Sequence, residues 1–133
     1  MAEKDPLQLS IRLVETAKSS LGMPRMSSRM FVSLFGCSAY IAAFVWIKIV
    51  SEKLLPPHGR LHHLLWTLYW LKTYSTNDSI CSAFRIGSDK TFTWWRDRFV
   101  EAMAQLDVVS RNNAIFFDVE LSHTISLFSC RYS

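Results

Sequence analysis

Five residues near the middle of the chain have the types and spacing for contact with a polyanion: Lys90, Thr91, Thr93, Trp94 and Arg98. Lysine and arginine meet phosphate oxygens, and threonine hydroxyls reach base edges or sugar–phosphate oxygens. On a helix, Lys90, Trp94 and Arg98 fall four apart and so share a face. That chemistry fits double-stranded DNA. The competing role for Trp94 is packing against another helix, and for Arg96 and Arg98 it is pairing with Asp97 and Glu101 on a solvated face. Such exposed pairs are worth about 0–1 kcal/mol and leave phosphate contact open.

Other reactive types are sparser. His58 and His62 have a metal-like spacing, with His63 beside them, but Pro57 and Gly59 interrupt any helix there. No Cys or carboxylate stands near in sequence, so these histidines read as polar residues at a helix start rather than ligands. Asp118 and Glu120 alternate with apolar residues and read as one solvated strand face, since two-metal phosphoryl chemistry needs more converging carboxylates. There is no nucleophile elbow, phosphate loop or HExxH motif, and no catalytic or metal-binding residue is assigned.

The elements that must position the five residues can be traced outward. Leu61, Leu64, Leu65, Leu68 and Leu71 recur at helical spacing, and Trp66, Tyr69 and Trp70 make this helix apolar nearly all round. It therefore reads as central, over Leu61 to Tyr74. Thr76 or Asn77 caps a short helix whose apolar face is Ile80, Ala83 and Phe84. Gly87 is expected to supply the left-handed turn. Ser88 then caps a last helix, with Asp89 in its first turn and Phe92, Trp95, Phe99, Ala102, Met103 and Leu106 as its buried stripe. Long helix, short helix, turn and long helix make the outline of a helix-turn-helix.

Upstream, Asp5-Pro6 opens a helix with Leu7, Ile11, Val14, Ala17 and Leu21 along one face, ended by Gly22 and Pro24. It reads as a peripheral or loosely docked amphipathic helix, followed by a linker, MPRMSSRM. FVSLFGC is a short apolar element, and Ser38 caps a helix over Ala39 to Leu54 that Pro56-Pro57-His58-Gly59 stops. Downstream, Ile115, Phe117, Val119 and Leu121 alternate with polar positions as a strand does, and Ile125, Leu127 and Phe128 suggest another. The expected fold is mainly α, a multi-helix domain containing a helix-turn-helix, with a short β tail. Its divisions are 1–29, an amphipathic helix and linker; 30–106, the helical domain; and 107–133, the tail.

Composition sets the remaining limits. The 133 residues are half hydrophobic and carry a formal net charge of +4. That supports one packed domain and a mild basic excess, with no strongly basic tail. Cys37, Cys81 and Cys130 are far apart, which argues against a disulfide framework or zinc module and for a reducing compartment. The first residues lack the layout of a secretory signal. Met30 to Ile47 has no charged residue over about one span length, but Ser33, Gly36 and Ser38 interrupt it and Lys48 follows at once. A buried helix is the favoured reading over a single membrane span at Met30–Val50.

At this point the run from Phe31 to Leu106 resembles the N-terminal domain of Harbinger-type DDE transposases. The matching pieces are MFVSLFGCS with Val45-Trp46 following, LPP and then HHLLWTLYWLKTY, and DKTFTWW followed by FVEAMAQL, in order, over a little more than half the chain. The resemblance implies a helical region that binds DNA at the element's ends. It also implies a following RNase H-like domain whose three acidic residues hold divalent metals. Its first aspartate would fall in a V-D-G-T setting; here TISLFSCRYS places Phe128 there and Ser129 where glycine is expected. The chain thus resembles a transposase truncated before its catalytic domain, without nuclease activity, and no cofactor is expected in it. Its expected partner is double-stranded DNA, with homo-oligomerisation open and no small-molecule substrate. The expected location is the nucleus if the source is eukaryotic, and otherwise the soluble cell interior. The alternative from the residues alone is a helical protein–protein interaction module, with Trp94, Trp70 and the Phe31–Ile47 run as a docking patch.

Overall fold

The computed structural model describes residues 5–113, with side chains as far as Leu106. Six helices follow one another: α1 (Pro6–Leu21), α2 (Ser28–Phe35), α3 (Ala39–Ser51), α4 (Leu61–Thr73), α5 (Asn77–Phe84) and α6 (Asp89–Asn113). The fold is mainly α, and the described residues contain no strand. Both tail strands expected between Ile115 and Phe128, together with Asp118, Glu120 and Cys130, lie outside the described residues.

Local caps set most boundaries. The side chains of Asp5, Ser27, Ser38 and Thr76 each accept a hydrogen bond from a backbone N–H in the first turn of the helix that follows. These donors have no partner within the helix, so each cap removes an unpaired polar group. Gly36 ends α2 at φ 82, a backbone angle that favours glycine, with the Lys72 side chain lying against it. Replacing Thr76 with alanine is expected to cost about 1 kcal/mol, measured as a lower denaturation midpoint with an unchanged slope.

α4 is central, as its apolar circumference predicts. Leu64, Leu65, Thr67, Leu68 and Leu71 are buried, and α1, α2, α5 and α6 all pack on it. Thr67 is fully buried, but its hydroxyl donates to the His63 carbonyl at 3.0 Å, so no polar atom is stranded there. An aromatic knot of Phe35, Tyr69 and Phe84 ties α2, α4 and α5 together, with ring centroids 5.2–6.5 Å apart.

Four expectations change. α1 is not loosely docked: Leu9, Leu13 and Ala17 are fully buried, and α1 lies along α3. Its buried stripe is therefore Leu9–Leu13–Ala17, while Leu7 and Ile11 stand exposed at 59% and 53%. The residues read as a linker already contain the Ser27 cap and the start of α2 at Ser28. α3 stops at Ser51 rather than Leu54, where Glu52 closes the helix and Lys53 turns with φ 58. α6 continues past Leu106 to Asn113.

The apolar run Met30–Ile47 resolves into two helices, α2 and α3, bent by 57° at the Gly36–Ser38 break. No single helix among the described residues is long and apolar enough to cross a membrane. Phe31, Phe35, Ile41, Ala42, Ala43 and Val45 of that run are buried, so it supplies core rather than a continuous exposed patch.

Candidate nucleic-acid interface

The corner between α5 and α6 spans Arg85 to Ser88. The left-handed residue is Arg85, at φ 57, and Gly87 is not among the residues with positive φ. The reason is local. The turn must reverse directly after Phe84, where the Arg85 and Ile86 N–H groups both reach the Cys81 carbonyl. Gly87 comes two residues too late for that role, and a Cβ there would meet nothing within 4 Å. Ser88 caps α6 as expected: its hydroxyl accepts from the Lys90 N–H at 3.2 Å.

α6 buries Phe92, Phe99, Ala102, Met103 and Leu106 against the other helices. Lys90, Thr91, Trp94 and Arg98 lie on its exposed side, and Thr93 is half-buried at the margin. The Thr93 hydroxyl donates to the Lys90 carbonyl at 3.2 Å. Trp94 is 42% exposed, with its edge on Trp95 at 4.6 Å between centroids. The Arg98 guanidinium lies 3.7 Å from the centre of the Trp94 ring and donates to the Trp94 carbonyl at 3.1 Å. Arg98 is thus held on its own helix by a neighbour one turn back. Exposed cation–π contacts are worth about 0.5–1 kcal/mol, and the hydrogen bond to the Trp94 carbonyl adds to that hold on the guanidinium.

Arg96 points elsewhere. Its guanidinium sits 4.5 Å from the Trp70 ring centre, its side chain is only 19% exposed, and it pairs with Asp97 at 2.9 Å. It clamps α6 to α4 and is not part of the exposed cationic face. Asp97 and Glu101 are also exposed on α6, so the face is charge-balanced along its length and cationic mainly through Lys90 and Arg98. The electrostatic field alone is weak, and any binding would depend on close contacts rather than long-range attraction.

The histidines do not form a cluster of metal ligands: among the described residues no three His, Cys, Asp or Glu side chains converge. His63 instead plays a part that its position in the sequence only hinted at. Its Nδ1 accepts from the Arg60 N–H at 3.0 Å, closing the start of α4. Its ring stacks on Trp95 at 3.8 Å and 8°. Burial, then the charges of His62 and Arg60, push its pKa down from 6.5 to about 3. His62 packs its ring edge against His63 at 4.1 Å, and its pKa is lowered by burial and then by Arg60. His58 lies before α4 in a turn of positive φ.

Neither protein-family models, nor curated proteins, nor solved structures give a match to this chain.

Proposed function

We propose that this chain is a helix-turn-helix DNA-binding domain, with α6 as the helix that enters the major groove. The resemblance to the N-terminal region of Harbinger-type transposases rests on the sequence runs quoted above, and it makes the ends of a transposable element the natural target. The observation that carries the reading is the short α5, the four-residue corner and a long α6 that keeps Lys90, Thr91, Trp94 and Arg98 on its exposed side. In such units the first turns of the second helix reach base edges while cations beside them fix the register on phosphates. Lys90 and Arg98 take the phosphates; Thr91, and Thr93 at the margin, reach base edges or sugar–phosphate oxygens. Trp94 positions Arg98 and covers the sugar edge.

Duplex affinity measured against salt tests this. Each phosphate contact contributes about −0.9 to the slope of log affinity against log salt, so Lys90→Ala with Arg98→Ala should flatten that slope by about 2. Both side chains are exposed, so the variant should keep its unfolding midpoint. Equal slopes for variant and parent would remove this face from the interface.

A second reading has one observation in its favour. Leu7, Ile11 and Tyr40 stand exposed at 59%, 53% and 46%, and they line a cleft of about 360 Å³ between α1 and the start of α3. Under that reading the domain docks a protein partner there. Dimerisation that follows protein concentration and is lost in Ile11→Asp, without retention on duplex DNA, would favour it over the first.

A further inference from the structure

α1 carries a second apolar stripe beside the one it buries. Leu7, Ile11, Val14, Lys18 and Leu21 alternate four and three residues apart, so they line one side of the helix over about 21 Å. This is the spacing with which one helix meets another along a seam, here with a single lysine in it. Leu9, Leu13 and Ala17, on the adjoining side, are buried where α1 meets α3 and α4. The N-terminal half of the second stripe is open: Leu7 is 59% exposed and Ile11 53%.

Leu7, Ile11 and Val14 form one wall of the cleft of about 360 Å³, and Ala39 and Tyr40 form another. Tyr40 is steadied by Phe44, with ring centroids 5.0 Å apart. Ser28 also lines the cleft, and the exposed Val32 stands one turn along the same face of α2. Apolar residues exposed singly are ordinary, whereas a contiguous set around a cleft marks a docking surface.

Charge on α1 selects the occupant. Asp5 stands at the start of the helix and Lys18 near its end. Glu15 holds Lys18 at 3.3 Å, and an ammonium with three donors can take a second carboxylate. A second copy laid antiparallel, with a two-fold axis at Ile11, supplies one. Leu7 then meets the partner's Val14, Ile11 meets the partner's Ile11, and Lys18 meets the partner's Asp5, with each unlike contact made twice. A parallel copy would instead set Lys18 against the partner's Lys18. Antiparallel helices also bring opposite ends of their dipoles side by side.

We propose that a second copy of this chain seats its α1 antiparallel in this cleft, making a two-fold dimer. Apolar contact supplies the affinity, and the exposed Asp5–Lys18 pairs set the direction. Standard interfaces bury about 800 Å² and 20–30 residues a side; this one is smaller, so the dimer is weak and reversible. The exposed side of α6 takes no part in it, and the proposal does not rest on the DNA reading. It rests on the second reading above for the cleft as a docking surface, and names its occupant.

Sedimentation of the full chain without DNA, from low to high micromolar concentration, tests this. The expected result is a mass that rises from monomer towards dimer. Ile11→Asp should stay monomeric throughout and, because Ile11 is half exposed, keep its unfolding midpoint. Two charge variants, Lys18→Glu and Asp5→Lys, test the direction. Each alone places like charges at both ends of the dimer, whereas a mixed dimer pairs opposite charges at both. The mixture should therefore associate about tenfold more tightly than either variant alone. Being tighter than both excludes the lost Asp5 cap as the cause, since Lys18→Glu keeps that cap. A chain that stays monomeric overturns the proposal and leaves a different protein as the occupant, so this proposal and the second reading fail separately. A dimer that survives Ile11→Asp overturns it too, and a mixture no tighter than its parts overturns the antiparallel seating.

Discussion

Truncating Phe99 to alanine is expected to cost about 3–5 kcal/mol, the upper range for a buried aromatic. Phe99 is fully buried on α6, and its ring stacks on Trp46 of α3 with centroids 6.2 Å apart and planes at 14°. The same ring lies 6.4 Å from both His63 and Trp95, and its edge faces Gly59 in the loop before α4. One side chain therefore holds α3, α4, α6 and that loop against one another. Alanine removes the lost transfer free energy and leaves a hole bounded by rigid aromatic rings, which relax into it poorly. Small domains have only about 5–15 kcal/mol in total, so the variant should be largely unfolded under mild denaturant. Urea unfolding followed by tryptophan fluorescence measures this. A loss below about 1 kcal/mol would mean that the ring stack is peripheral to the core and that the α3–α6 contact is held elsewhere.

The parts of this architecture that were legible in the sequence are those fixed by neighbours within one helical turn. Asp5, Ser38, Thr76 and Ser88 act on N–H groups two or three residues away, so a cap can be read without knowing the fold. The α4 and α6 stripes were legible because their apolar residues repeat over several turns. α1 was harder, because it carries two apolar stripes, and only docking on α3 decides that Leu9 and Leu13 are covered while Leu7 and Ile11 are not. The corner after α5 misled for a different reason. Glycine is the usual left-handed residue, but here the reversal comes directly after Phe84, and Arg85 takes the strained angle.

The candidate sites divide the same way. The spacing of Lys90, Trp94 and Arg98 on one face follows from helical periodicity alone. That Arg98 stacks on Trp94 while Arg96 crosses to Trp70 depends on which side of α6 faces α4, which local pattern gives only approximately. His63 gave a partial signal. A histidine third in a helix can close its first turn, but its burial against Trp95 requires the packed α4–α6 pair.

That packing sets the second large expectation, a loss of stability in mild acid. His63 is 6% exposed, accepts a hydrogen bond at Nδ1, and has no room for a second proton without breaking the start of α4. Its proton in the neutral form is therefore on Nε2. Folded, it titrates at about 3; unfolded, it returns to its ordinary value of 6.5. Below 6.5 the unfolded chain takes up a proton that the folded chain refuses, so acid favours unfolding. The contribution is complete above pH 6.5, shrinks as pH falls, and levels off below pH 3. At pH 5 the loss is about 2 kcal/mol, from about 1.4 kcal/mol per unit over the one and a half units below 6.5. His62, lowered in the same direction by burial and by Arg60, adds to it. Burial sets most of this response, the charges of His62 and Arg60 add to it, and no carboxylate among the causes offsets them. Urea midpoints at pH 7.5 and pH 5 measure the loss, and His63→Phe isolates it. Phenylalanine keeps an aromatic ring against Trp95 but cannot be protonated, so the variant should start lower, having lost the Arg60 hydrogen bond, and should change less between the two pH values. Parallel losses in parent and variant would place the acid sensitivity on other groups and would mean that His63 is protonated within the fold.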